Sequence, residues 1–203
     1  MKNILTILLT TLILFGCVKT QHIENHVGMC DPISHIHDNQ EVINNNYLTH
    51  HPGDTITLVG LDDISRNVLY EAKQTLEKFY KYKVMVFENN IDLSKKEYYD
   101  YKNQIVDCDY FVRNNEFGKK IIFITTKSMR GDKTPSVRGY TTLNGNTIIV
   151  KYTQYMSTTL KHEVGHTLGL LHCDNISCVM AIYNDEYDSG NFCQSCKLKI
   201  KFN

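Results

Sequence analysis

The sequence predicts an α+β fold with a mixed sheet, on three observations. Residues 64 to 80 repeat apolar positions with a helical period, Ile121 to Thr126 form a short, continuously apolar run, and Asn144-Gly145-Asn146 separates two β-prone segments. With 203 residues and 42% hydrophobic content, the chain is long enough for one packed core. Basic and acidic residues number 22 each, so no basic excess exists to engage a nucleic-acid backbone.

The first 16 residues are an address. Lys2 precedes an apolar stretch from Ile4 to Phe15, short of the roughly 20 residues that span a bilayer but suited to a signal-peptide core. It ends in Leu14-Phe15-Gly16-Cys17, which resembles a bacterial lipobox. That resemblance implies lipidation of Cys17 and anchoring to a bacterial membrane, in the cell envelope and outside the cytoplasm. An ordinary secretory signal with a stray cysteine is the alternative. Residues 17–53 then form a polar, lipid-anchored tether, and residues 54–203 the domain. His35, His37, His50 and His51 read as solvated tail histidines, because no carboxylate or cysteine stands at ligand spacing beside them.

Within the domain, Asp62-Asp63 offers an N-cap to a helix whose apolar stripe is Ile64, Val68, Leu69, Ala72, Leu76, Phe79 and Tyr80. Lys83 to Phe87 reads as a strand. Residues 92 to 108 are charged and Tyr-rich and show no clear period. Ile121 to Thr126 is expected at the centre of the sheet, because a strand covered on both faces needs no alternation. Gly139–Leu143 and Thr147–Tyr152 flank the Asn-Gly turn as a hairpin. A further helix starts near Met156.

That helix carries the chemistry. His162 and His166 are four residues apart, so a helix stacks them on one face, and Glu163 lies one position round. Gly169 can take the left-handed conformation that ends a helix, which swings His172 back as a third ligand. Three neutral imidazoles and one open position make a catalytic zinc site. Glu163 would act as general base on a water and later protonate the leaving amine.

His162-Glu163-x-x-His166-x-x-Gly169-x-x-His172 resembles the metzincin zinc metallopeptidases. The continuation Cys173, Cys178-Val179-Met180 and Cys193-Gln194-Ser195-Cys196 resembles the archaemetzincins among them. This resemblance implies a metzincin-like catalytic domain with a small Cys-rich C-terminal subdomain, in which Met180 forms the turn beneath the catalytic metal. It implies two Zn2+ ions per chain, the second a structural zinc on Cys173, Cys178, Cys193 and Cys196. It also implies an edge strand along the cleft, matched by Gly139, Tyr140, Thr141 and Thr142, where an extended peptide pairs through its backbone. Two features depart from the family. The 12 residues between Met180 and Cys193 are a shorter gap, implying a trimmed C-terminal loop. An envelope lipoprotein is also not the family's usual form, and outside the cytoplasm the paired cysteines can form disulfides instead. Cys30 and Cys108 remain, either as one disulfide or with Cys30 capping the catalytic zinc.

The expected function is that of a monomeric zinc metallopeptidase, an endopeptidase or aminopeptidase acting on a peptide or protein substrate. The rival is a non-catalytic zinc-binding surface lipoprotein. Glu163 separates the two, because a metal store needs no carboxylate beside its first ligand.

Overall fold

The computed structural model describes residues 26–30, 54–91, 93, 96–115, 117–182 and 190–200. The stretch read as a signal segment, Cys17 and most of the stretch read as a tether lie outside the described residues, as do His35, His37, His50 and His51. Among the described residues no helix is long and apolar enough to cross a membrane.

In chain order the elements are β1 (His26–Cys30), β2 (Thr55–Leu61), α1 (Arg66–Tyr80), β3 (Lys83–Ile91), β4 (Tyr99–Asp100) and β5 (Ile105–Asp107). There follow α2 (Cys108–Asn114), β6 (Ile121–Thr125), β7 (Ser128–Arg130), β8 (Val137–Thr142), β9 (Thr147–Lys151), α3 (Met156–Thr167) and α4 (Gln194–Lys199). The main sheet has the order β1-β8-β9-β6-β2-β3. Strands β9, β6, β2 and β3 run parallel, whereas β8 is antiparallel to both β9 and β1. A small second sheet has the order β4-β5-β7.

Period-two alternation sorts the strand residues into two cores. Ile56, Leu58, Ile122, Ile124, Ile148 and Val150 pack in one cluster with Leu69, Leu76, Leu160 and Val164 of α1 and α3. Val59, Leu61, Phe123 and Ile149 pack in the other with Phe111 of α2 and with Val106 and Met129 of the small sheet. Both faces of β6 are therefore covered, which explains its unbroken apolar run. The mixed α+β class is as expected.

Three local outcomes differ from the sequence expectation. First, α1 begins at Arg66 after Ser65, not at the Asp62-Asp63 pair. Asp62 takes φ 55°, and its carboxylate accepts from Thr125 Oγ1 at 2.9 Å and from the Leu93 N–H at 3.4 Å. It fastens the end of β2 to β6 rather than starting a helix. Second, β2 is a central strand that no expectation placed, although Thr55-Ile-Thr-Leu58 alternates as a strand should. Third, residues 26–30 of the stretch read as tether form β1, which pairs along the outer edge of β8. Strand β8, expected as an edge strand, is therefore second from this end of the sheet, and would be outermost here only if β1 were absent.

Candidate active site

Helix α3 buries Leu160 and Val164 against the sheet, and the same rotation places His162, Glu163 and His166 out of solvent, each 0% exposed. Its C-terminus closes as a Schellman motif. The Gly169 N–H donates to His166 O at 2.9 Å, the Leu170 N–H to Gly165 O at 3.1 Å, and Gly169 takes φ +80°. The hairpin turn docks on this end. Asn144, at φ 61°, donates its N–H to His166 O at 3.0 Å. The chain then reverses and brings His172 to the helix, its ring centroid 5.3 Å from His162 and 5.0 Å from His166.

The proton positions follow from the hydrogen bonds. His162 Nδ1 lies 2.8 Å from Val179 O, and His166 Nδ1 lies 2.7 Å from Leu170 O. A carbonyl only accepts, so each Nδ1 carries the proton and each neutral ring presents a bare lone pair at Nε2. The two Nε2 atoms are 2.9 Å apart. Two lone pairs at that distance repel unless a cation sits between them. Zinc bound at 2.0–2.1 Å in a tetrahedron separates its ligand nitrogens by about 3.3 Å, close to this spacing. One ligand nitrogen from each of His162, His166 and His172 lies within 4.8 Å of the others. The donor set therefore fits a zinc ion.

Burial, then the charge of His172 and, more weakly, of Arg138, pushes His162 down to about 3 against the opposing pull of the Val179 carbonyl. Burial and the two neighbouring imidazoles hold His166 well below the ordinary histidine value. Both rings are thus in the neutral, ligating form at pH 7.

Glu163 lies against β8. A Cβ on Gly139 would stand 2.5 Å from Glu163 Oε1, 2.6 Å from its Cγ and 2.7 Å from Thr159 Cγ2. Only a residue without a side chain lets strand and carboxylate meet here. Tyr140 and Thr141 do not bring side chains to the site. The Tyr140 hydroxyl donates to Asp109 Oδ1 at 3.0 Å, and Thr141 Oγ1 donates to Thr147 O at 2.8 Å. Their backbones are paired with β9 on one edge and with β1 on the other.

Met180 is fully buried beneath α3. Gly165, between the two helix histidines, packs directly on its sulfur, and a Cβ there would collide with Met180 Sδ and lie 3.1 Å from Cε. The loop around Met180 is bound to the histidines on both sides. Cys173 donates its N–H to Met180 O at 2.9 Å, and Val179 supplies the carbonyl that orients His162.

Cys173, Cys178, Cys193 and Cys196 form no disulfide, and their sulfurs lie within 4.8 Å of one another. Cys173 and Cys193 Sγ are 3.6 Å apart. A disulfide needs about 2.05 Å, whereas thiolates at 2.3 Å around a tetrahedral zinc stand about 3.8 Å apart. Burial raises the Cys193 thiol, but the Cys196 N–H and the surrounding thiols outweigh it and bring it down to about 7. Burial and the neighbouring sulfurs push Cys196 the other way. Such a cluster holds a thiolate readily. Cys108 is a separate, fully buried free thiol, and the side chain of Cys30 lies outside the described residues.

The family model described as peptidase family M54 matches residues 67–202, well over half of the chain. The chain belongs to peptidase family M54. The archaemetzincin of Haloquadratum walsbyi is 25% identical over 171 residues, covering 70% of this M54 chain and 96% of its own. The fold is shared with two solved archaemetzincins. That of Archaeoglobus fulgidus, complexed with malonate, has a TM-score of 0.63 at 22% identity and covers 72% of this chain and 99% of its own. That of Methanopyrus kandleri has a TM-score of 0.60 at 19% identity, covering 73% and 94%. This M54 member is an archaemetzincin-like zinc metallopeptidase, a hydrolase of peptide bonds. Sequence inspection missed the carbonyls of Val179 and Leu170 and the Arg138 charge near His162. No residue-type signal marks a carbonyl, since every residue has one.

Proposed function

We propose that this chain is an endopeptidase in which His162, His166 and His172 hold the catalytic zinc and Glu163 is the general base. The observation that carries the proposal is the pair of bare Nε2 atoms 2.9 Å apart, on the same helix turn as a fully buried carboxylate. When bound, zinc lowers the pKa of a water towards ~7 and polarises a carbonyl oxygen. Glu163 takes the proton of the attacking water and delivers it to the departing amine. Burial removes the carboxylate from bulk water, and Gly139 fixes where it lies. With β1 displaced from it, the outer edge of β8 binds an extended peptide by strand addition, with little demand on its side chains.

Endopeptidase action is favoured over aminopeptidase action by the course of β8. The strand continues on both sides of Gly139, from Val137 to Thr142, so a paired peptide passes the carboxylate rather than ending there. The four cysteines hold a second, structural zinc, which pins His172 through its neighbour Cys173. Cys17 carries lipid and anchors the enzyme in the cell envelope, on the strength of Leu14-Phe15-Gly16-Cys17.

The test is a peptide-library digest by zinc-loaded protein, with every product mapped. Cuts inside peptides blocked at both ends support the proposal. Release of N-terminal residues only would assign an aminopeptidase. No cut anywhere, with zinc bound, would favour the non-catalytic zinc-binding lipoprotein.

A further inference from the structure

We infer that residues 26–30 and an extended substrate compete for the same outer edge of β8, so that the full-length chain is restrained by its own N-terminal strand. The inference rests on the peptidase reading above. Strand β8 bonds to β9 along its inner edge, which leaves the outer edge as the surface where a peptide could add to this end of the sheet. In the structure β1 lies there, antiparallel, with His26 opposite Thr142, Val27 opposite Thr141, Gly28 opposite Tyr140 and Cys30 opposite Val137.

The register places β1 over the reacting region. One residue, Met29, separates Gly28 from Cys30, whereas two, Arg138 and Gly139, separate Tyr140 from Val137. Strand β8 therefore bulges at Arg138–Gly139, and Gly139 is the residue packed against Glu163. β1 runs past that point on both sides and also lies close to α3. One edge accepts one strand, so a peptide cannot pair there until β1 leaves.

β1 can leave without unfolding the domain. Residues 31–54 join it to β2, and 24 residues reach roughly 80 Å when extended. Residues 26–30 also precede the stretch matched by the M54 model, residues 67–202. Tethering keeps β1 at a local concentration in the millimolar range, against which dilute substrate competes poorly.

The experiment uses the full-length, zinc-loaded chain and a Val27→Pro/Gly28→Pro double variant. Neighbouring residues on an antiparallel strand alternate between bonded and unbonded pairs, so two adjacent prolines remove a ladder donor whichever pair is bonded. The expected result is a rise in kcat/KM of roughly tenfold on a blocked peptide, at unchanged zinc content. Amide hydrogen exchange at residues 137–142 should accelerate in parallel. Equal exchange in both proteins would show that β1 does not hold this edge, and faster exchange with unchanged kcat/KM would show that it does not restrain the enzyme. Either overturns the inference alone. If both proteins bind zinc and neither cleaves any peptide, the peptidase reading fails and the inference falls with it.

Discussion

Gly139→Ala tests the contact on which the geometry of the site depends. The added Cβ would lie 2.5 Å from Glu163 Oε1, whereas ordinary contact begins at 3.4 Å, so the carboxylate must retreat by roughly 0.9 Å. Thr159 Cγ2, at 2.7 Å from the same Cβ, closes the alternative of moving the strand freely. A displacement of about 1 Å in a catalytic group costs on the order of 10²-fold, and kcat/KM is expected to fall by that factor. Overpacking should lower stability by about 1–3 kcal/mol, offset in part by the lower chain entropy of alanine. Zinc content should not change, because no ligand is touched. Gly118→Ala is the control, since nothing lies within 4 Å of its Cβ. The assays are steady-state cleavage of one fluorogenic peptide, urea denaturation and metal analysis. Wild-type kcat/KM and an unchanged denaturation midpoint in Gly139→Ala would mean that β8 does not pack against Glu163.

Three further outcomes are expected. Met180→Leu nearly conserves volume and should cost less than about 1.5 kcal/mol, whereas Gly165→Ala drives a Cβ into the Met180 sulfur and should cost about 1–3 kcal/mol; paired denaturation curves check the order. Cys193→Ser should reduce metal content from two zincs per chain to one and lower both stability and activity, although it touches no substrate; two zincs retained in the variant, or Cys193 and Cys196 found oxidised in wild type, would contradict the structural site. Cys17→Ser should abolish lipid labelling and membrane fractionation while cleavage of a soluble peptide persists; a variant still carrying lipid would refute the anchor.

Much of the site was legible because its spacing is local. Two histidines four apart must share a helix face, and a glycine three residues later must be able to end the helix, as Gly169 does at φ +80°. The Asn144-Gly145 turn was legible for the same reason, although only Asn144 takes the positive φ. What escaped depends on long-range register or on atoms that every residue has. The carbonyls of Val179 and Leu170 set the proton positions of two histidines, yet no side chain announces them. Asp62 looked like a helix cap because caps and tertiary hydrogen bonds use the same carboxylate. The role of Gly139 requires knowing that β8 meets Glu163, and the pairing of β1 with β8 joins residues more than a hundred positions apart.

The most direct test of the account compares wild type with Glu163→Ala, each assayed for bound zinc and for cleavage of a peptide blocked at both ends. Glu163 touches water rather than metal in this account, so the variant should keep its zinc and lose about 10²–10⁴-fold in kcat. A zinc-replete Glu163→Ala protein that turns over as fast as wild type would contradict it.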